Sequence, residues 1–313
     1  TGSLLGLNYR EVSSYPVGYE RQISMYALDF QEFLWAVGIS DDIMESLRQN
    51  MENNEPVDDV INQKMLKYVR EYMTIGGMPN VVNRYLETSD FNIVTQEQEK
   101  ILASYLNDIA KYAPSADKPK ARNCYLSLPK QMDKDNTKFQ FSVVENKGTS
   151  RKYGNALDWL RDAGLISYCR NVATVSFPLA SYERTDQFRV YSTDIGLLIA
   201  MFGHEMKRAI IEDTLTGPAK GGIYENLIAD FLLKKGYKLR YFCHDNSQVE
   251  LEFILEKNAH PVPIEVKANK GKTTSLNSIL KHSDIETGYK FCAGNLGRDG
   301  KKITLPFYMA MFI

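Results

Sequence analysis

The 313-residue chain has few cysteines, and they come without partners. Cys124, Cys169, Cys243 and Cys292 are scattered with none of the paired spacing of a disulfide framework or a zinc site. No apolar run approaches the roughly 20 residues that cross a bilayer, and no basic-then-apolar leader precedes Leu4. The expectation is a cytoplasmic protein with no membrane partner. The chain also lacks an excess of charge. With 38 Lys and Arg against 39 Asp and Glu the formal net charge is −1, so any surface for nucleic acid must be local. Internal repeats and low-complexity tracts are absent, and so is a phosphate-cradling loop. The nearest approach to G-x-x-x-x-G-K-[ST] is Val266-Lys267-Ala268-Asn269-Lys270-Gly271-Lys272-Thr273. It sets a β-branched residue where the turn needs glycine, and no acidic Walker B strand accompanies it. ATP hydrolysis by this chain alone is therefore not expected.

The length allows two or three domains with cores of their own. The most informative stretch lies near the C-terminus. Over residues 223–235, Ile223, Leu227, Ile228, Phe231 and Leu232 form one helical stripe that stops at Gly236. From residue 248 to 255 the period becomes two, with Val249, Leu251, Phe253 and Leu255 on one face and Glu250 and Glu252 on the other. After the turn residues Asn258-Ala259-His260-Pro261, Val262, Ile264 and Val266 alternate with Glu265 and Lys267. The unit reads as a helix and two strands, with carboxylates on the faces away from the aliphatic rows.

Two carboxylates about 4 Å apart repel by roughly 4 kcal/mol at an effective dielectric near 20. A divalent cation removes that cost, and oxygen-only ligation suits Mg²⁺ or Mn²⁺. Lys267 shares a face with Glu265 and could orient water or balance a phosphate. Together Glu225, Glu252, Glu265 and Lys267 resemble the PD-(D/E)XK nuclease-like fold. The resemblance implies that Glu225, Glu252 and Glu265 hold Mg²⁺ or Mn²⁺ and that Lys267 assists phosphodiester cleavage. Glu252 stands where that family has Asp, a methylene shorter.

Further resemblances run through the rest of the chain. Thr1-Gly2-Ser3 and the segment Leu28-Asp29-Phe30-Gln31-Glu32-Phe33 resemble parts of a group of prokaryotic AAA+ ATPases: the end of the sensor-1 strand and the lead into the helical lid. The resemblance makes Thr1 and Ser3 nucleotide-sensing positions, in an intact parent that would bind ATP through a part not in this sequence. Tyr19 stands where that group often has Arg, so no arginine finger is implied. Residues 41–74 read as helical with a break at 52–56, and Gly76-Gly77-Met78-Pro79, similar to a signature of the same ATPases, precedes another helix. Helices over 94–112, 120–132 and from Thr149 to Gly164, a short strand over 139–144, and strands over 165–176 and 187–191 follow. That order resembles a winged-helix domain. The stretch from Arg189 to Leu198 also resembles the ATPase group.

The expected fold class is therefore α+β and multidomain. Residues 1–36 would be a remnant of an AAA+ core, 37–90 a helical lid, 91–204 a winged helix, and 205–313 a nuclease-like α/β domain. Bases outnumber acids over residues 118–152, and Lys147, Arg151 and Lys152 sit at the start of the helix suited to phosphate contact. Two functions stay open. One is a metal-dependent nuclease acting on DNA or RNA. The other is a nuclease fold without cleavage, used to bind DNA or protein and for assembly.

Overall fold

The computed structural model describes residues 23–132, 138–244, 249–268, 271 and 273–313. Thr1, Ser3, Lys270 and Lys272 lie outside the described residues. Helix α1 (Phe30–Ala36) opens on a reciprocal cap: Asp29 accepts from the Glu32 amide and Glu32 from the Asp29 amide, both at 2.8 Å. Then come α2 (Asp41–Asn53), α3 (Asp59–Ile75), α4 (Pro79–Thr88) and α5 (Phe91–Tyr112). The predicted break at 52–56 falls between α2 and α3, where Asn54 turns left-handed and Asp58 caps the Val60 and Ile61 amides.

The Gly76-Gly77 pair is explained by what lies against it. A Cβ at Gly196 would stand 2.4 Å from the Gly76 nitrogen, and one at Gly77 would stand 2.0 Å from the Leu28 carbonyl oxygen. Asp194 completes the joint. One carboxylate oxygen accepts from Gly77 N–H and the other from Leu197 N–H, each at 2.8 Å, the latter capping α10 (Ile195–Phe202). The two glycine-bearing segments singled out in sequence are thus the two halves of one close backbone contact.

Next come α6 (Lys118–Leu126), α7 (Leu128–Gln131), α8 (Phe141–Val144), α9 (Ser150–Asp162), β1 (Ile166–Val172) and β2 (Glu183–Ser192). Two of these segments differ from the pattern that the sequence predicts. The helix expected over 120–132 is interrupted at Ser127, whose hydroxyl donates to the Cys124 carbonyl, and Pro129 restarts it. The strand expected over 139–144 is a single helical turn. Phe139 N–H donates to the Phe188 carbonyl, but the Gln140 backbone is paired with the Gln131 side chain through two 3.0 Å bonds, so the ladder goes no further.

The remaining elements are α11 (His204–Ile211), α12 (Ala219–Lys234), β3 (Arg240–Cys243), β4 (Glu250–Leu251), β5 (Phe253–Lys257), β6 (His260–Lys267), α13 (Thr274–Ile279), β7 (Gly288–Cys292), β8 (Gly297–Asp299) and β9 (Lys302–Pro306). The strands form two sheets, ordered β2-β1-β3-β4 and β5-β6-β7-β9-β8. The β1/β2 hairpin is antiparallel, and β1 then pairs in parallel with β3 through Arg170 opposite Arg240 and Asn171 opposite Tyr241. The Asn171 side chain locks that joint, donating to the Cys243 carbonyl and accepting from its amide, both at 3.0 Å.

Helix α12 carries the predicted stripe but is buried nearly all round, Tyr224, Asn226, Ala229 and Asp230 included. Both faces of the second sheet are covered. Phe253, Leu255, Ile264 and Val266 join the main cluster around α12, whereas Ile254 joins a smaller one with Leu276 and Ile279 of α13. The main cluster runs without a break from Phe30 to Met311. Phe30 stacks on Phe231 of α12 at 5.3 Å, and the Tyr72 hydroxyl reaches both the Leu28 carbonyl and Asp230 at 2.9 Å.

Candidate functional site

The four residues expected to act together are brought together in part. The β-strand expected over 248–255 breaks at Glu252. Leu251 pairs with Phe242 of β3, while Phe253 pairs with Ile264 of β6, so Glu250 and Glu252 do not share one strand face as the alternation implied. The break turns Glu252 toward β6. There one carboxylate oxygen accepts from Val266 N–H at 3.1 Å and the other lies 3.4 Å from the Lys267 ammonium. Lys267 is 2.8 Å from Glu265. Glu265 and Lys267 are in contact and share Glu252 as a neighbour, but the carboxylates are sunk into the protein. Glu252 is 7% and Glu265 2% exposed, because β6 is covered on both faces.

Glu225 lies on α12, close enough to act on Glu252, and is itself bonded to a second set of residues. Its Oε2 accepts from Arg189 and from the Tyr191 hydroxyl, each at 3.4 Å. Arg189 also binds Glu250 and lies 4.5 Å over the Tyr241 ring. Arg189, Tyr191 and Glu250 were given no role by sequence reasoning. A signal existed: Arg189 and Tyr191 alternate on one face of a strand that runs into the apolar Ile195–Leu198 stretch. A lone Arg in such a run marks a buried acid to be met.

The electrostatics follow from the inventory. Four carboxylates, Glu225, Glu250, Glu252 and Glu265, meet two basic groups, Arg189 and Lys267. Burial, reinforced by Glu225 and Glu265, pushes the Glu252 carboxyl up to about 8, against the opposing pull of Lys267 and Arg189. Burial works to lower Lys267, but Glu252 and Glu265 outweigh it and hold the ammonium above its ordinary value. Among the described residues, buried Glu265 Oε2 has no hydrogen-bond partner, at a cost of about 1–3 kcal/mol.

Mg²⁺ needs near-octahedral oxygen ligation at about 2.0–2.1 Å. In this arrangement Glu225 is held by Arg189 and Tyr191, and Glu252 and Glu265 share Lys267. Among the described residues no group of three or more His, Cys, Asp or Glu is placed to hold a metal ion. The three carboxylates as placed, each bonded to a cation or donor of the protein, do not fit a Mg²⁺ or Mn²⁺ cage.

The basic residues expected to touch nucleic acid lie elsewhere. Lys147, Arg151 and Lys152 are exposed around the start of α9. Lys152 is tied to Glu145, which also accepts from the Tyr153 hydroxyl, whereas Lys147 and Arg151 meet no acid among the described residues.

Residues 66–208 match a family described as a domain of unknown function (DUF8612), and residues 220–308 match another, DUF4143. The second is the C-terminal domain typically found in AAA-ATPase-associated proteins. No curated protein and no solved structure matches the chain significantly. No helix among the described residues is long and apolar enough to cross a membrane.

Proposed function

We propose that the chain is the C-terminal part of a prokaryotic AAA+ ATPase, comprising a helical lid, a winged helix and a PD-(D/E)XK-like domain. In this reading the last domain works as a binding and assembly module rather than as a phosphodiesterase. The DUF4143 match supports the ATPase context. The absence of cleavage rests on one observation: Glu225, Glu252 and Glu265 are bonded to the protein's own cations, Arg189 and Lys267. The β1/β2 hairpin, which would be the wing, is joined to β3 and so ties the last two parts together. Nucleic acid would be held at Lys147 and Arg151, whose phosphate contacts would position without reading sequence.

The test has two arms. The purified chain is incubated with plasmid and single-stranded DNA in Mg²⁺ or Mn²⁺, and the expected result is intact substrate. Duplex binding is then followed against salt. Affinity should fall steeply as counterion release predicts, and charge reversal at Lys147 and Arg151 should weaken all sequences about equally. A salt-independent or absent interaction assigns the winged helix to protein contact. The orphaned Glu265 oxygen and the excess of acids favour a second reading, metal-dependent cleavage. Mn²⁺-dependent cutting that disappears in Lys267→Ala would establish it and overturn the first.

A further inference from the structure

Away from the acidic cluster, a cavity of about 230 Å³ opens between α3, α5 and α11, lined by Thr74, Phe91, Thr95, Lys207 and Ile211 among others. Its volume is below the range of drug-sized pockets and suits a small molecule. Lys207 is only 3% exposed, yet among the described residues no carboxylate bonds its ammonium directly; Glu99 acts on it only through its field. Its partners are neutral: the Thr95 hydroxyl at 2.8 Å and the side-chain oxygen of Gln98. Gln98 in turn donates to the Thr74 and Ile75 carbonyls at 2.9 and 2.8 Å, so Lys207 sits close to the C-terminal end of α3. That helix end supplies only a partial negative charge. The other charged side chains of the lining are accounted for. Arg208 is paired with Glu212 at 2.9 Å in a largely exposed position, and His204 is exposed.

A buried cation without a counter-ion is costly, and ordinary folding pressure would replace it with an apolar side chain of similar volume. Here it lies beside an open, largely apolar space. We propose that this cavity binds a small organic carboxylate with an apolar body, whose carboxylate pairs with Lys207 and whose body packs on Phe91 and Ile211. Such an anion supplies the charge that Thr95 and Gln98 do not. Burial holds the amine down at about 8 against the weaker opposing pull of Glu99.

Calorimetric titration of the full chain with benzoate and with its neutral counterpart benzyl alcohol tests this. Benzoate should bind at least about tenfold more tightly than the alcohol. Lys207→Met should erase that preference while leaving the alcohol unaffected. Should Lys207→Met fail to fold, Ile211→Trp, which fills the cavity and keeps the ammonium, decides instead: benzoate binding should be lost. Failure of the wild-type chain to bind benzoate at millimolar concentration, an unchanged preference in Lys207→Met, or retained binding in Ile211→Trp overturns the proposal.

Discussion

Arg189 shows how much one buried side chain can organise. It is 6% exposed and meets Glu225 from α12 and Glu250 from β4 over the face of Tyr241. Removing one partner of a buried ionic group leaves the others desolvated and uncompensated. Arg189→Met should therefore cost about 3–5 kcal/mol in urea unfolding. Adding Glu225→Gln and Glu250→Gln to that variant should recover part of the loss; no recovery would mean that Arg189 acts through packing alone. Glu252 is the opposite case, a carboxyl whose folded value is raised from 4.5 to about 8. The folded state then prefers the protonated form. Its contribution to stability is complete below about pH 4.5 and is lost as pH climbs through 8. Glu252→Gln should flatten the fall in unfolding midpoint between pH 5 and pH 8, a comparison in which an unchanged slope counts against the assignment.

At the scale of elements, the end of α3 and the start of α10 meet backbone to backbone in the helical half. Gly76 is left-handed at φ 79° and Gly196 faces its backbone with no room for a methyl group. Gly196→Ala must push two backbones apart and is expected to cost more than about 3 kcal/mol. Asp194→Ala removes both the α10 cap and the bond to Gly77. The cap is worth about 1 kcal/mol and the buried bond about 1–3 kcal/mol. Chemical denaturation that registered less than about 1 kcal/mol for either variant would show the joint to be slack. The parallel pairing of β1 with β3 acts in the same way between the middle and the end of the chain, with Asn171 as its bolt.

At the scale of the whole molecule, the apolar cluster that begins at Phe30 and ends at Met311 couples segments nearly 300 residues apart. Asn295 binds both backbone groups of Val57, and Tyr308 donates to Asn62 at 2.9 Å. One cooperative unfolding transition is expected, superimposable by far-ultraviolet circular dichroism and by fluorescence of Trp35 and Trp159. Phe231→Ala, deep in the cluster, should shift both probes together by about 3–5 kcal/mol. Two separated transitions would indicate that the helical and sheet-bearing parts fold on their own.

Local physics carried a good part of this protein. The stripes of α3, α9 and α12, the stop at Gly236, the Pro79 helix start and the alternation of β6 follow from side-chain period and backbone preference, which act over a few residues. Those same rules put Glu265 and Lys267 on one face. They could not break a strand at Glu252, because that break exists only where β3 claims Leu251 and β6 claims Phe253. Nor could they bury Glu265, tie Glu225 to Arg189 or set Gly76 against Gly196, since each depends on a partner far away in the chain. Residue types and their spacing placed the candidate acids. Tertiary pairing decided which cations they meet, and with that whether a metal has room among them.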